Sequence, residues 1–170
     1  MKNVISRKQF LCFAAAGGAT ALAATPLFLF AQSTAAKKPK GDPLAADLVK
    51  EWVGKAHSDL ARVKELFAQE PRLLNASWDW GGGDFESALE AAGHVGNREI
   101  ARFLLDNGAR MNFFCAAMLG HLDLVKATLE LYPELKKSAG PHGLKLKHHA
   151  IKGGEQAKPV LEYLESIGAD

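Results

Sequence analysis

One phrase recurs along this chain and restricts what it can fold into. Ala92-x-x-x-Gly96, Ala116-x-x-x-Gly120 and Ala150-x-x-x-Gly154 repeat one spacing of a small residue and a glycine, and Gly54-x-x-x-Ser58 is a degenerate fourth copy. Small residues let paired helices approach closely, and the glycine permits a tight turn between them. After each anchor, apolar residues return at spacing three to four: Val63, Leu66, Phe67; Ile100, Phe103, Leu104; Leu124, Ala127, Thr128; and Val160, Tyr163, Leu164. That spacing gathers an apolar stripe on one helix face and leaves Arg98, Arg102, Asp106 and Lys126 in water. Repetition of such a unit predicts an all-α, helix-turn-helix solenoid of about four repeats, in which neighbours bury each other's faces.

The helix ends repeat as well. Gly108-Ala109 and Gly168-Ala169 close the second and fourth copies, where glycine can adopt the left-handed cap conformation. Pro71-x-Leu73 and Pro133-x-Leu135 close the first and third, each proline thirteen residues beyond its anchor, and an extended exit is expected there. Two terminators in matching register argue against accidental similarity.

The stretch from Leu89 to Ala109 (LEAAGHVGNREIARFLLDNGA) resembles an ankyrin repeat, and Ala116 to Lys126 (AAMLGHLDLVK) is similar to the central phrase of that family. The resemblance covers residues 46–170 and is strongest from Ser87 to Val125. The family's Thr-Pro-Leu-His phrase is degraded here to Ser87-Ala88-Leu89-Glu90. Gly96 and Gly120 are 24 residues apart, short of the family period of about 33. The third copy has almost no finger between Asn112 and Phe113, so long hairpin fingers are expected only near Trp80 and near Gly143. The charged residues Lys50, Glu51, Lys158 and Glu162 mark the terminal copies as caps.

Residues 1–33 read as an address. Lys2, Arg7 and Lys8 precede an uncharged stretch from Gln9 to Ala36, the charged-then-apolar order of a secretory signal. Ser6-Arg7-Lys8-Gln9-Phe10-Leu11 resembles the twin-arginine export motif, with Lys8 in place of its second arginine. Small residues at Ala31 to Ala35 suit cleavage after Ser33 or Ala35, and an uncleaved anchor is the alternative, since about 20 apolar residues span a bilayer. Either outcome puts the domain in the periplasm or another extracytoplasmic space, with the inner membrane touched only through an uncleaved segment. Residues 34–45 form a polar linker rich in Lys, Pro and Gly.

The 170 residues leave room for about one domain. The formal charge of +2 is concentrated in that address and linker: Lys2, Arg7, Lys8, Lys37, Lys38 and Lys40, with Asp42, leave the repeat region at −3. A domain of that sign lacks the clustered cations on which nucleic-acid binding depends. Two cysteines, Cys12 and Cys115, allow no disulfide framework and no thiolate zinc site.

The candidate reactive groups have plainer readings. Adjacent His148 and His149 point about 100° apart on a helix and do not readily share a metal. The family resemblance implies that His148 bonds the neighbouring finger backbone. His94 and His121, with Asp123 or Glu99, could form a general-base pair, but neither has a nucleophile motif beside it, and Cys115 reads as core. Asp79-Trp80-Gly81-Gly82-Gly83-Asp84-Phe85-Glu86 sets three carboxylates around three glycines, without the ligand spacing of a calcium loop. It reads as a hairpin finger whose Trp78, Trp80 and Phe85 either pin it to the first helix pair or stand outward.

The resulting expectation is an exported module that binds another protein, in the cell envelope, without catalysis or cofactor. The resemblance implies a binding surface of loop tips and first helices, with Trp80, Phe85, Glu86, Asn97, His121 and Leu144 as its contact residues. The rival is a small periplasmic metal-binding or hydrolytic protein that uses the Asp79–Glu86 loop with His57 or His94.

Overall fold

The computed structural model describes residues 41–169, so the expected signal or anchor and most of the linker lie outside the described residues. The chain is mostly helical. Its α-helices fall into successive pairs: α1 (Ala46–Lys55) with α2 (Leu60–Gln69), α3 (Ala88–Val95) with α4 (Arg98–Asp106), α5 (Phe113–Leu119) with α6 (Leu122–Leu131), and α7 (Leu146–Lys152) with α8 (Lys158–Ser166). A two-stranded antiparallel hairpin, β1 (Ser77–Asp79) and β2 (Phe85–Ser87), rises between the first two pairs, with Trp78 opposite Glu86. Among the described residues no helix is long and apolar enough to cross a membrane.

Gly96 and Gly120 end α3 and α5 in the left-handed conformation (φ 81° and 83°). Their role extends beyond the turn. A Cβ on Gly96 would strike the carbonyl oxygen of Lys152, and one on Gly120 that of Gln156, so each glycine also seats the turn between the two helices of the fourth pair. The third copy of the phrase is displaced by one residue. There it is Gly153, right-handed at φ −70°, whose Cβ would collide with the Met118 carbonyl, while Gly154 supplies the left-handed turn.

One expectation about helix ends is corrected, at both prolines. Glu70 and Tyr132, each before a proline, leave the helical region (φ −141° and −134°) and stop α2 and α6. The chain then winds into 3-10 turns over Pro71–Asn75 and Pro133–Lys137 instead of leaving extended. Ser87-Ala88-Leu89-Glu90 forms a capping box: the Ser87 hydroxyl accepts from the Glu90 N–H, and the Glu90 carboxylate accepts from the Ser87 N–H at 2.8 Å.

The stripes of α2, α4 and α8 face the core as expected, but that of α6 is rotated. Val125 and Leu129 are buried there, whereas Leu124 and Ala127 are exposed. Arg98 is not in water. Its guanidinium donates to the carbonyls of Met118 (2.8 Å), Leu119 (3.2 Å) and Gly153 (2.7 Å), satisfying orphan oxygens at the ends of two helices. Lys126 is half-buried, with Nζ 5.3 Å over the Tyr163 ring.

Two groups of buried side chains meet at α5. Cys115 and Met118 pack with Trp52, Leu66, Ile100 and Leu104, while Ala117 packs with Val125, Leu146, Val160 and Leu164. The first helices touch in chain order, and α7 packs on α3 as well as on α5. His148 contributes to that second contact: Nε2 lies 2.9 Å from the carbonyl oxygen of His94, at the end of α3. Its partner is thus a helix terminus, where the resemblance implied a finger.

Candidate functional site

The finger is built from its glycines. The Asp79 carboxylate accepts from the N–H groups of Gly81 (2.8 Å) and Gly83 (3.2 Å), and all three glycines have positive φ. The hairpin therefore closes tightly and Asp79 is consumed in closing it. Strand alternation then sets the faces of β2. Phe85 points outward and is 61% exposed, while Glu86 points inward and is fully buried. Trp78 lies half-buried under Lys50 Nζ, and Trp80 is 39% exposed, its indole Nε1 donating to Glu86 Oε2 at 2.7 Å. Trp78 and Trp80 thus pin the finger while Phe85 stands out.

Three histidines converge on Glu86. His57 follows α1, and its Nδ1 sits 3.2 Å and 3.0 Å from the carbonyls of Val53 and Gly54, which makes Nδ1 the protonated nitrogen. Nε2 is the ring nitrogen turned toward Glu86, 3.6 Å from Oε2. His142 comes from the second finger, Pro141–Gly143, in a left-handed conformation (φ 59°). Asp84 holds it twice, through the backbone N–H (2.8 Å) and through Nδ1 (2.6 Å), and Nε2 is directed to Glu86 Oε1 at 3.4 Å. His94, in the last turn of α3, brings Nδ1 within 2.8 Å of Glu86 Oε1. The two atoms lie off the line of a hydrogen bond, and neither has a hydrogen-bond partner among the described residues.

Electrostatics follow from this crowding. Burial pushes the Glu86 carboxyl up, but the His94 and Trp80 nitrogens beside it and the charges of His57 and His94 outweigh burial and hold it below the ordinary carboxylate value. Asp84 is held low by the His142 backbone N–H first and its imidazole second. The ring centroids of His57 and His94 are 4.9 Å apart, and those of His94 and His142 are 5.1 Å apart.

Of the six expected contact residues, the structure gathers Trp80, Phe85 and Glu86 on one finger. Glu86 is corrected: fully buried, it has no surface to offer a partner. Asn97 caps α4, accepting from the Ile100 N–H at 3.1 Å and donating to the His57 carbonyl at 3.5 Å. His121 is exposed at the start of α6, and Leu144 is half-buried beyond the second finger. His57 and His94, grouped with this loop by the sequence, do meet it, whereas Glu99, His121 and Asp123 are no part of the group around Glu86. Cys115 is buried, and burial pushes its thiol up to about 12, so it is no nucleophile at neutral pH. The sequence reading missed His142. No family model matches the chain, and no curated protein does either.

Proposed function

We propose that the domain is an exported protein-binding module of ankyrin type, with its helix pairs arranged as a short solenoid and its fingers as the contact face. The observation that carries this reading is Phe85: a large aromatic, 61% exposed, on a hairpin whose underside is fixed by Trp80 and the buried Glu86. A rigid, outward aromatic loses little entropy when a partner covers it, and such residues dominate interface energetics. A groove of about 560 Å³ beside the finger, lined by Asp47, Lys50, Gly54 and Trp80 among others, offers an adjoining recess.

The solenoid is irregular. The third pair has no finger, because Asn112 directly caps α5 by accepting from the Cys115 N–H at 2.7 Å. That gap lets the fourth pair's finger reach the second, and the Asp84–His142 contacts join them into one surface. The partner is a protein of the cell envelope, and the domain reaches that space through its N-terminal address.

The test is site-specific photo-crosslinking of the full chain in its own cell envelope. A photoreactive residue at position 85 should give a discrete adduct with one protein, while the same residue at the exposed Asp106 of α4 should give none. Equal yields from both positions, or no adduct at position 85, would remove the assignment.

A further inference from the structure

We infer that His57, Glu86, His94 and His142 form a binding site for one divalent first-row transition cation of the zinc kind, clasping the two fingers to α1 and α3. One ligand atom from each of the four residues can be chosen so that all lie within 4.8 Å of one another. A tetrahedral zinc ion with ligands at about 2.0–2.1 Å spaces them about 3.3–3.4 Å apart. Glu86 Oε1 lies 3.4 Å from His142 Nε2 and 2.8 Å from His94 Nδ1, while His57 Nε2 lies 3.6 Å from the other carboxylate oxygen, Oε2. Side-chain rotations on the order of 1 Å reach the ideal edges. Three imidazoles and one carboxylate are the donor set of zinc and its neighbours, not of calcium or magnesium.

The shell around these residues is the stronger argument. A ligating histidine presents one nitrogen to the metal and donates the other to a carbonyl or carboxylate. His57 does so through Nδ1 to Val53 and Gly54, and His142 through Nδ1 to Asp84. The Trp80 indole fixes Glu86 Oε2 and leaves Oε1 as the ligating oxygen. Among the described residues, that oxygen and His94 Nδ1 are two of three buried side-chain polar atoms without a hydrogen-bond partner, and these two face each other at 2.8 Å.

A purely ionic account is poorer. Glu86 and Asp84 can offset two imidazoliums, but protonation of the third ring would add an unbalanced like charge about 5 Å from its neighbour at the ring spacings observed. A divalent cation lets all three imidazoles stay neutral and balances Glu86. With four protein ligands the shell is closed, which makes the ion structural, a staple between segments at residues 57, 84–94 and 142. The inference holds whether or not a protein docks on Phe85.

The test is cobalt(II) titration of the purified, chelator-stripped protein, read by visible absorption and by melting temperature. One equivalent should produce the strong d–d bands of tetrahedral cobalt with nitrogen and oxygen ligands, and zinc(II) should bleach them. Zinc at a hundredfold excess over Kd should raise the melting temperature by about 5–15 °C. His142→Ala should abolish the bands, and Asp84→Asn, which keeps all four ligands, should weaken binding about 10–100-fold. His121→Ala, an exposed histidine outside the group, should behave as wild type. Wild-type protein without the bands, full binding by both His142→Ala and Asp84→Asn, or equal loss in His121→Ala would overturn the site.

Discussion

Glycines with the same backbone angle serve different ends here, and only their surroundings separate them. Gly108 and Gly120 both have φ near +85° (91° and 83°), so an alanine at either costs about 1–2 kcal/mol of left-handed strain. Around Gly108 a Cβ meets nothing within 4 Å, whereas at Gly120 it would collide with the backbone of Gln156. Gly108→Ala should therefore lower unfolding free energy by about 1–2 kcal/mol and Gly120→Ala by about 4 kcal/mol or more, as measured by urea denaturation. Equal losses would mean that the fourth pair does not need this close approach. The need for glycine was legible in the repeated phrase, but the contact that enforces it was not. Arg98 illustrates the same limit: a charged residue beside an apolar stripe reads as solvated until the two helix ends it caps are brought together. His142 was illegible for a related reason, since Pro-His-Gly becomes a ligand-bearing finger only because the missing third finger lets it reach Asp84.

The elements were easier to read than their faces. Helix pairs, the hairpin near Trp80 and the near absence of a finger before α5 all follow from local signals, since turn chemistry and 3.6-residue spacing act within a few residues. The face of α6 was misread because Leu122, Leu124, Val125, Leu129 and Leu131 make it apolar nearly all round, so two stripes fit the spacing and packing against α5 and α8 selects Val125 with Leu129. Helix α7 carries a prediction of its own. His149 is buried against Phe114, with its Nδ1 2.9 Å from the Lys145 carbonyl oxygen. Burial depresses its pKa from 6.5 to about 4, although the Lys145 carbonyl opposes the shift. Above pH 6.5 the ring is neutral whether the chain is folded or not. Between pH 6.5 and 4 the unfolded chain takes up a proton that the folded chain refuses, so stability present at neutral pH is lost as pH falls through this window. Urea midpoints should drop across it, and His149→Gln should reduce the slope while lowering the neutral-pH value through lost packing. An unchanged slope would show that His149 is not the group responsible.

At the scale of the whole domain, the decisive contact is between α3 and α7. In a row of helix pairs that touched only their neighbours, damage at one end would leave the other end folded, because stability would be a sum of local terms. Here α7 packs on α3 as well as on α5, Arg98 of α4 reaches Gly153, and Gly96 seats Lys152, so the fourth pair is tied directly to the second. The three tryptophans, Trp52, Trp78 and Trp80, all lie in the first half of the domain, so their fluorescence reports that half while circular dichroism reports every helix. Leu164 is fully buried in α8, among the second group of core side chains. Leu164→Ala removes that packing and should cost about 2–4 kcal/mol. Because the ties from the fourth pair run to α3 and α4, the loss should reach the tryptophans undiminished: fluorescence and dichroism should show one shared urea midpoint, lowered by the same amount. A dichroism transition preceding the fluorescence transition would mean that α7 and α8 unfold alone, and that the contacts between the second and fourth pairs are too weak to make the domain one cooperative unit.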